Sequence, residues 1–321
     1  MPAEWEPQSA VQLTWPHEGT DWAPILPEIT AVYEEMAREI SKRESLIIVD
    51  DIPHNDTWAR DHGFITVEET SDLSPQPSDL ILLDFKFNGW GEKFPADLDN
   101  QINKQLFDKG LVKGVYEDHL DFVLEGGSIE SDGKGTVFTT ACCLLAPHRN
   151  QPLTAQQIED RLKEYLGAER IVWLHHGSLI GDDTDGHIDT LVRICPDDTL
   201  LYTGGDEAHP DLYEMEHELQ TLRTIEGKPY RLLKLPLPRP IYDTTAISHQ
   251  PSAINRLPAT YANYLVINGA VLVPTYNQPD LDQEAMHVIQ QAFPDREIVG
   301  IDCRAVIKQH GSLHCCTMQY Y

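Results

Sequence analysis

Five stretches of this 321-residue chain carry apolar residues at helical spacing, and they recur at comparable intervals. Pro27 to Ser41 puts Ile29, Val32, Tyr33, Met36, Ala37 and Ile40 on one face, and the stretch near Asp97 to Phe107 carries Leu98, Ile102 and Leu106. Thr154 with Gln157 three residues on predicts a capping box, and Gly167 a stop after Ile158, Leu162 and Leu166. Asp211 to Arg223 carries Leu212, Met215, Leu219 and Leu222, and the stretch after Asp282 carries Ala285, Met286, Ile289 and Phe293. The starts lie about 57 to 71 residues apart, the sign of a repeated module even without obvious identity between copies.

Strand-like runs fall between the helices: Leu46 to Val49, Ile81 to Phe87, Thr136 to Leu145, Leu200 to Thr203 and Tyr264 to Thr275. Alternating strands and helices commonly build a doubly wound parallel sheet. Asp132-Gly133 and Asn268-Gly269, however, predict antiparallel hairpins inside the modules, and no Gly-x-Gly-x-x-Gly loop follows an early strand. Five mixed modules fit a propeller-like α/β ring better. The one loop-like stretch of note, Glu69 to Asp79, does not split the chain, so residues 1–321 read as a single domain.

Lys and Arg total 24 against 52 Asp and Glu, for a formal net charge of −28. That field repels phosphates and argues against a nucleic-acid partner, while it attracts cations. No apolar run is long enough for a membrane span, and the first residues do not read as a signal peptide. The six cysteines include no Cys-x-x-Cys pair and form no disulfide framework, which places the chain in a reducing, cytoplasmic setting. Cys142 and Cys143 read as packing residues of an apolar strand, and His175-His176 as an exposed loop.

The polar residues at predicted strand starts repeat with the modules: Asp61, Glu125, His187, Asn263 and Cys315, about 52 to 76 residues apart. In a ring, equivalent positions converge on the axis. Carboxylates brought together there need a cation, and a planar guanidinium suits them because they accept its paired N–H groups. Asp61 and Asp189 are candidates for that clamp. Cys315 would then face the guanidinium carbon as nucleophile, with His187 as acid and base. Glu125 would orient the histidine and hold a substrate nitrogen. Trp90, on the glycine-rich bend Asn88-Gly89-Trp90-Gly91, either walls the pocket or packs the bend.

Four motifs carry a resemblance: Trp58-Ala59-Arg60-Asp61-His62-Gly63, Leu124-Glu125-Gly126-Gly127-Ser128, Thr184-Asp185-Gly186-His187-Ile188-Asp189, and His310-Gly311-Ser312-Leu313-His314-Cys315. With Met1-Pro2-Ala3-Glu4-Trp5-Glu6-Pro7 at the start, the chain resembles the agmatine deiminase family over essentially its whole length. The wider group includes bacterial-type peptidylarginine deiminases and other guanidino-group-modifying enzymes. The resemblance implies a five-bladed α/β propeller (pentein-type) and hydrolysis of agmatine to N-carbamoylputrescine and ammonia. It implies Asp61 and Asp189 as guanidinium ligands, His187 as acid/base with Glu125 beside it, and Cys315 as a nucleophile forming an amidino-thioether. It aligns Asn263 with a catalytic asparagine of the peptidylarginine relatives, requires no metal or organic cofactor, and allows a homodimer. Two departures stand out: Phe64 replaces a proline of many relatives, and His310-Gly311-Ser312 replaces a Gly-Gly-rich segment.

Two other readings stay open from sequence. One is a deiminase of arginine or peptidyl-arginine, whose substrate carboxylate would want Arg or Lys where agmatine's ammonium wants acids or aromatics. The other is a non-catalytic polyamine or guanidine binder, which would need neither thiol nor histidine. His187 and Asp189 as metal ligands lack a third ligand at zinc spacing.

Overall fold

The structure, a computed structural model, describes residues 1–68, 80–243 and 256–321. The loop expected over Glu69 to Asp79 lies outside the described residues. Fifteen strands are present among them. In chain order they are β1 (Ala10–Thr14), β2 (Ser45–Val49), β3 (Ile65–Glu68), β4 (Leu80–Lys86), β5 (Val115–Val123), β6 (Ile129–Ser131), β7 (Thr136–Thr140) and β8 (Arg170–Leu174). There follow β9 (Val192–Cys195), β10 (Thr199–Thr203), β11 (Arg231–Leu235), β12 (Leu265–Ile267), β13 (Ala270–Thr275), β14 (Glu297–Asp302) and β15 (Thr317–Tyr320).

These strands form five three-stranded sheets of one design. The middle strand (β1, β4, β7, β10 or β13) pairs antiparallel with the strand before it in the module and parallel with the strand after it. A parallel partner requires a crossover, and each module supplies one of the five helices for it. Those helices are Leu26–Ser41, Ile102–Asp108, Ala155–Leu166, Pro210–Thr221 and Pro279–Ala292. The fifth sheet is discontinuous in sequence. Its first strand is β15, paired with β1 through Ala10↔Tyr320 and Leu13↔Thr317, while β2 pairs on the other side through Leu13↔Ile48.

The helices form where the apolar spacing predicts them. Leu26–Ser41 buries Ile29, Tyr33, Met36 and Ile40, each worth about 1.5–3 kcal/mol when removed from water. It packs against β2 of its own module and β14 of the preceding one, so helices join neighbouring sheets. Ala155–Leu166 opens on the Thr154–Gln157 capping box and ends at Gly167 with φ 63°. Two boundaries differ from expectation for local reasons. The last helix begins at Pro279, whose ring suits the first turn, ahead of Asp282. The run from Thr136 stays extended only to Thr140; Ala141–Leu144 is a helical turn, which leaves Cys142 exposed and Cys143 buried rather than both in a strand. Phe64 is buried edge-on against Tyr116 and Tyr320.

Candidate active site

Each module's first strand is preceded by a short turn, and the candidate residues sit on or beside these turns. Asp61 lies in Ala59–His62 before β3, Glu125 just ahead of Gly126–Ser128 before β6, and His187 and Asp189 at Ile188–Thr190 before β9. Asn263 precedes β12, and Cys315 lies in His314–Cys316 before β15. The turn holding Asp61 touches those of Glu125 and Cys315, and the Glu125 turn touches that of Asp189. Residues separated by up to 254 positions thus share one buried cluster. The vicinal cysteines lie on a helical turn instead of a strand. Cys316 Sγ faces Ser312 O at 3.4 Å, whereas Cys315 Sγ lies 3.4 Å from Asn263 Oδ1 and 3.8 Å from Asp189 Oδ2.

The carboxylates are held individually. Asp61 Oδ2 accepts Trp90 Nε1–H at 2.9 Å, and its Oδ1 accepts Gly127 N–H at 3.2 Å. Asp189 Oδ2 accepts His314 Nδ1–H at 2.8 Å. Glu125 Oε1 accepts Arg149 Nε–H at 2.8 Å. The carboxylate that approaches His187 is Asp61, at 3.7 Å from Nδ1. Asn263 braces the turn that carries Cys315 by accepting His314 N–H at 2.9 Å. Asp189 Oδ1, Glu125 Oε2 and both ring nitrogens of His187 are buried without a protein partner among the described residues. Buried polar atoms are rarely left so, and a polar ligand would supply partners for them.

The electrostatics agree. Burial, then the charges of Asp189 and Asp61, hold the Cys315 thiol well above its ordinary range. Burial pushes Asp61 up to about 6 against the opposing pull of His187. Burial alone would lower His187, but Asp61, Glu125 and Asp189 together raise it. Asp189 goes the other way: the His314 hydrogen bond and charge outweigh burial and lower it.

Above Cys315 and Asp61 opens a cavity of about 220 Å³. Trp58, Trp90 and Phe94 line it together with Asp21, Asp56, Asp183 and His310; neither Lys nor Arg lines it among the described residues, and Glu125, His187 and Asp189 lie outside its lining. Trp90 adopts φ 57° and ψ 46°, an unusual conformation for a bulky residue, and such strain collects at functional sites. Gly311 fits beneath Trp58 only because it has no side chain; a Cβ there would overlap the indole. Gly127 is equally constrained, since a Cβ would sit 2.6 Å from His187 Nδ1 and 3.0 Å from Asp61 Oδ1. Gly127→Ala is expected to lower turnover by about 100-fold through displacement of the reacting groups. Steady-state kinetics beside a thermal melt check this; a kcat near wild type would show that the cluster tolerates the displacement.

Sequence reasoning missed Arg149, whose buried guanidinium joins Glu125 to Asp185 at 2.8 Å and to Thr184 O at 3.0 Å. The signal available was an arginine ending the apolar run of the second module. Two sets of residues could hold a metal by type: Glu125, Cys143 and His187, and Glu4, Glu130 and His314, each with ligand atoms within 4.8 Å of one another. The buried cation Arg193 already pairs with both carboxylates of the second set. Beside the first, Arg149 Nη2 lies 4.0 Å from Cys143 Sγ. His175 and His176 are exposed, their backbone N–H groups donating to Glu218.

Residues 1–320 match the Porphyromonas-type peptidyl-arginine deiminase family. The chain belongs to that family. An agmatine deiminase of Medicago truncatula is 32% identical over 359 residues, covering 99% of this chain and 95% of the relative. Among solved members of the fold, a Porphyromonas gingivalis protein described as an arginine deiminase superposes with TM-score 0.88 at 46% identity, covering 100% of this chain and 97% of that one. A cysteine-to-serine variant of agmatine deiminase from C. jejuni, solved with substrate bound, superposes with TM-score 0.86 at 35% identity, covering 100% and 95%. The match runs through all five modules of the chain. No helix among the described residues is long and apolar enough to cross a membrane.

Proposed function

We propose that this chain is an agmatine deiminase, a single catalytic domain whose five modules form a five-bladed α/β propeller around Cys315. The observation that carries the substrate assignment is the cavity's lining: Asp61 beside Cys315, the aromatic rings of Trp58, Trp90 and Phe94, and Asp21, Asp56 and Asp183, with neither Lys nor Arg among the described lining residues. A substrate cationic at both ends and apolar between them suits that lining. The guanidinium would lie between Asp61 and Asp189, using the unpartnered Asp189 Oδ1, with Glu125 Oε2 open to a further N–H. The distal ammonium would meet Asp183.

In this reading the substrate's charge offsets Asp61 and Asp189 and so favours the Cys315 thiolate. The thiolate adds to the guanidinium carbon, His187 gives its proton to the departing ammonia, and an amidino-thioether remains. Water then attacks that carbon, His187 takes a proton from it, and the carbon–sulfur bond breaks to regenerate the thiolate. Replacement of one nitrogen by oxygen gives N-carbamoylputrescine. The thiol proton leaves to solvent as the substrate binds, and the proton left on the product oxygen when the carbon–sulfur bond breaks passes to the released ammonia, which departs as ammonium.

A second reading, deimination of arginine or of peptidyl-arginine, has its support in the 46%-identical relative described as an arginine deiminase. An α-carboxylate would want a cation, where the cavity lining offers Asp21, Asp56 and Asp183. An ammonia-release assay on agmatine, arginine and a blocked arginine peptide separates the readings. We expect agmatine to have the highest kcat/KM; preference for the peptide would sink the assignment. Asp183→Asn should raise KM for agmatine about 10-fold, as loss of one charge-assisted contact implies, and leave KM for butylguanidine unchanged. An equal change for both would remove Asp183 from the ammonium site.

A further inference from the structure

Behind the guanidinium clamp lies a second, buried layer of charge. His314, the residue before the nucleophile, has its ring between two carboxylates: Nδ1 is 2.8 Å from Asp189 Oδ2 and Nε2 is 3.0 Å from Glu4 Oε2. Arg193, buried and stacked 4.4 Å over the Tyr264 ring, pairs with Glu4 and Glu130 and approaches His314 Nε2 at 3.2 Å. Its Nη1 also donates to Ala262 O at 2.9 Å. Glu4 Oε1 in turn accepts Val266 N–H at 2.9 Å, which ties the N-terminal segment to strand β12. The ring of His314 is thus held at both nitrogens, by Asp189 at Nδ1 and at Nε2 by Glu4, which Arg193 holds in turn.

The consequence falls on Asp189. An ionised carboxylate can only accept, so Nδ1 must carry the proton and donate. That bond occupies Oδ2 and leaves Oδ1 unpartnered and buried. Free to rotate, Asp189 could turn either oxygen to the guanidinium and swing out of the plane that two parallel N–H bonds need. Held by His314, it presents one oxygen in one orientation.

We infer that His314 is a positioning residue for the deimination reaction, orienting Asp189 through Nδ1–H while Glu4 and Arg193 fix its own ring. The inference rests on the proposed clamping of a guanidinium by Asp189. It gives the N-terminal Glu4, distant from the substrate, a role in how the substrate is seated.

Two substitutions divide the ring's two functions. The amide nitrogen of asparagine can occupy roughly the place of Nδ1, and that of glutamine the place of Nε2. His314→Asn therefore keeps a donor to Asp189, and His314→Gln removes it. With agmatine, His314→Gln should lose about 10- to 100-fold in kcat/KM, the cost of one charge-assisted hydrogen bond, and His314→Asn should stay within about 3-fold of wild type. Agmatine binding in the Cys315→Ser background should weaken in the same order, with melting temperatures of the two His314 variants alike. Equal impairment of both variants, or a His314→Gln enzyme as active as wild type, would overturn the inference. Should His314→Gln fail to fold, Glu4→Gln carries the test: a lower kcat/KM with weaker agmatine binding is expected, and wild-type values would overturn it. Wild type is the reference throughout. If it does not turn over agmatine, the substrate assignment has failed, and the same comparison is run on whichever of arginine or the blocked peptide it does turn over.

Discussion

Cys315→Ser will lower agmatine turnover by about 10⁵-fold or more while agmatine continues to bind. A serine hydroxyl in this cluster has no route to ionisation, because burial and the charges of Asp189 and Asp61 already oppose even the more acidic thiol. The expected contrast is thus between chemistry and affinity, read by ammonia release and by calorimetry. The thiol itself offers a second measurement. In the empty wild-type enzyme the ultraviolet thiolate signal should be absent at neutral pH, since the thiol is held above its ordinary range. A non-reactive guanidinium should bring it in, at a pH well below that needed without ligand. A signal unmoved by the ligand would rule out activation of the nucleophile by the substrate's charge, and turnover surviving in Cys315→Ser would overturn the nucleophile assignment itself.

His187→Asn should lower kcat by roughly 10³-fold, within the usual range for loss of a general acid and base. The pH profile gives a sharper test. The raised pKa of His187 keeps the imidazolium, the form that protonates departing ammonia, into higher pH than an ordinary histidine would. Activity should fall as pH rises through that raised value, and the alkaline limb should disappear in His187→Asn. On the acid side the needed form is ionised Asp61, present above about 6 and lost as pH falls through it. The kcat/KM profile should therefore drop below about pH 6 in wild type and at higher pH in His187→Asn, where the downward pull of His187 on Asp61 is gone. An alkaline limb of kcat that persists unchanged in His187→Asn would assign it to another group.

Legibility followed burial. The middle strands β7, β10 and β13 are buried along nearly their whole length, so the runs from Thr136, Leu200 and Tyr264 that contain them read as strands. Outer strands such as β5, with Glu117, Asp118 and Asp121 exposed, have no such pattern and go unread. Gln12 interrupts β1 for a tertiary reason: it is buried, donating to Thr14 and accepting from Tyr320. The candidate site was legible through its short motifs, which lie on contiguous turns. The partners that hold it were not. Their contacts cross between modules, Arg149 reaching Asp185 and Thr184 and Arg193 reaching Glu4 and Glu130, and no local pattern predicts such pairings. Glu125 illustrates the limit: its nearness to the histidine was readable, but its bond to Arg149 came only with the fold.

The sheet made of β15, β1 and β2 has a bearing on biosynthesis. It joins β1 with β15, the first and last of the described strands, so long-range closure must precede any working centre, a slow kind of topology to complete. Four modules could form on a nascent polypeptide while the sulfur that reacts is still unmade. Until Tyr320 zips onto Ala10, the half-built molecule holds a nest of acids with no nucleophile beside it, and is chemically silent.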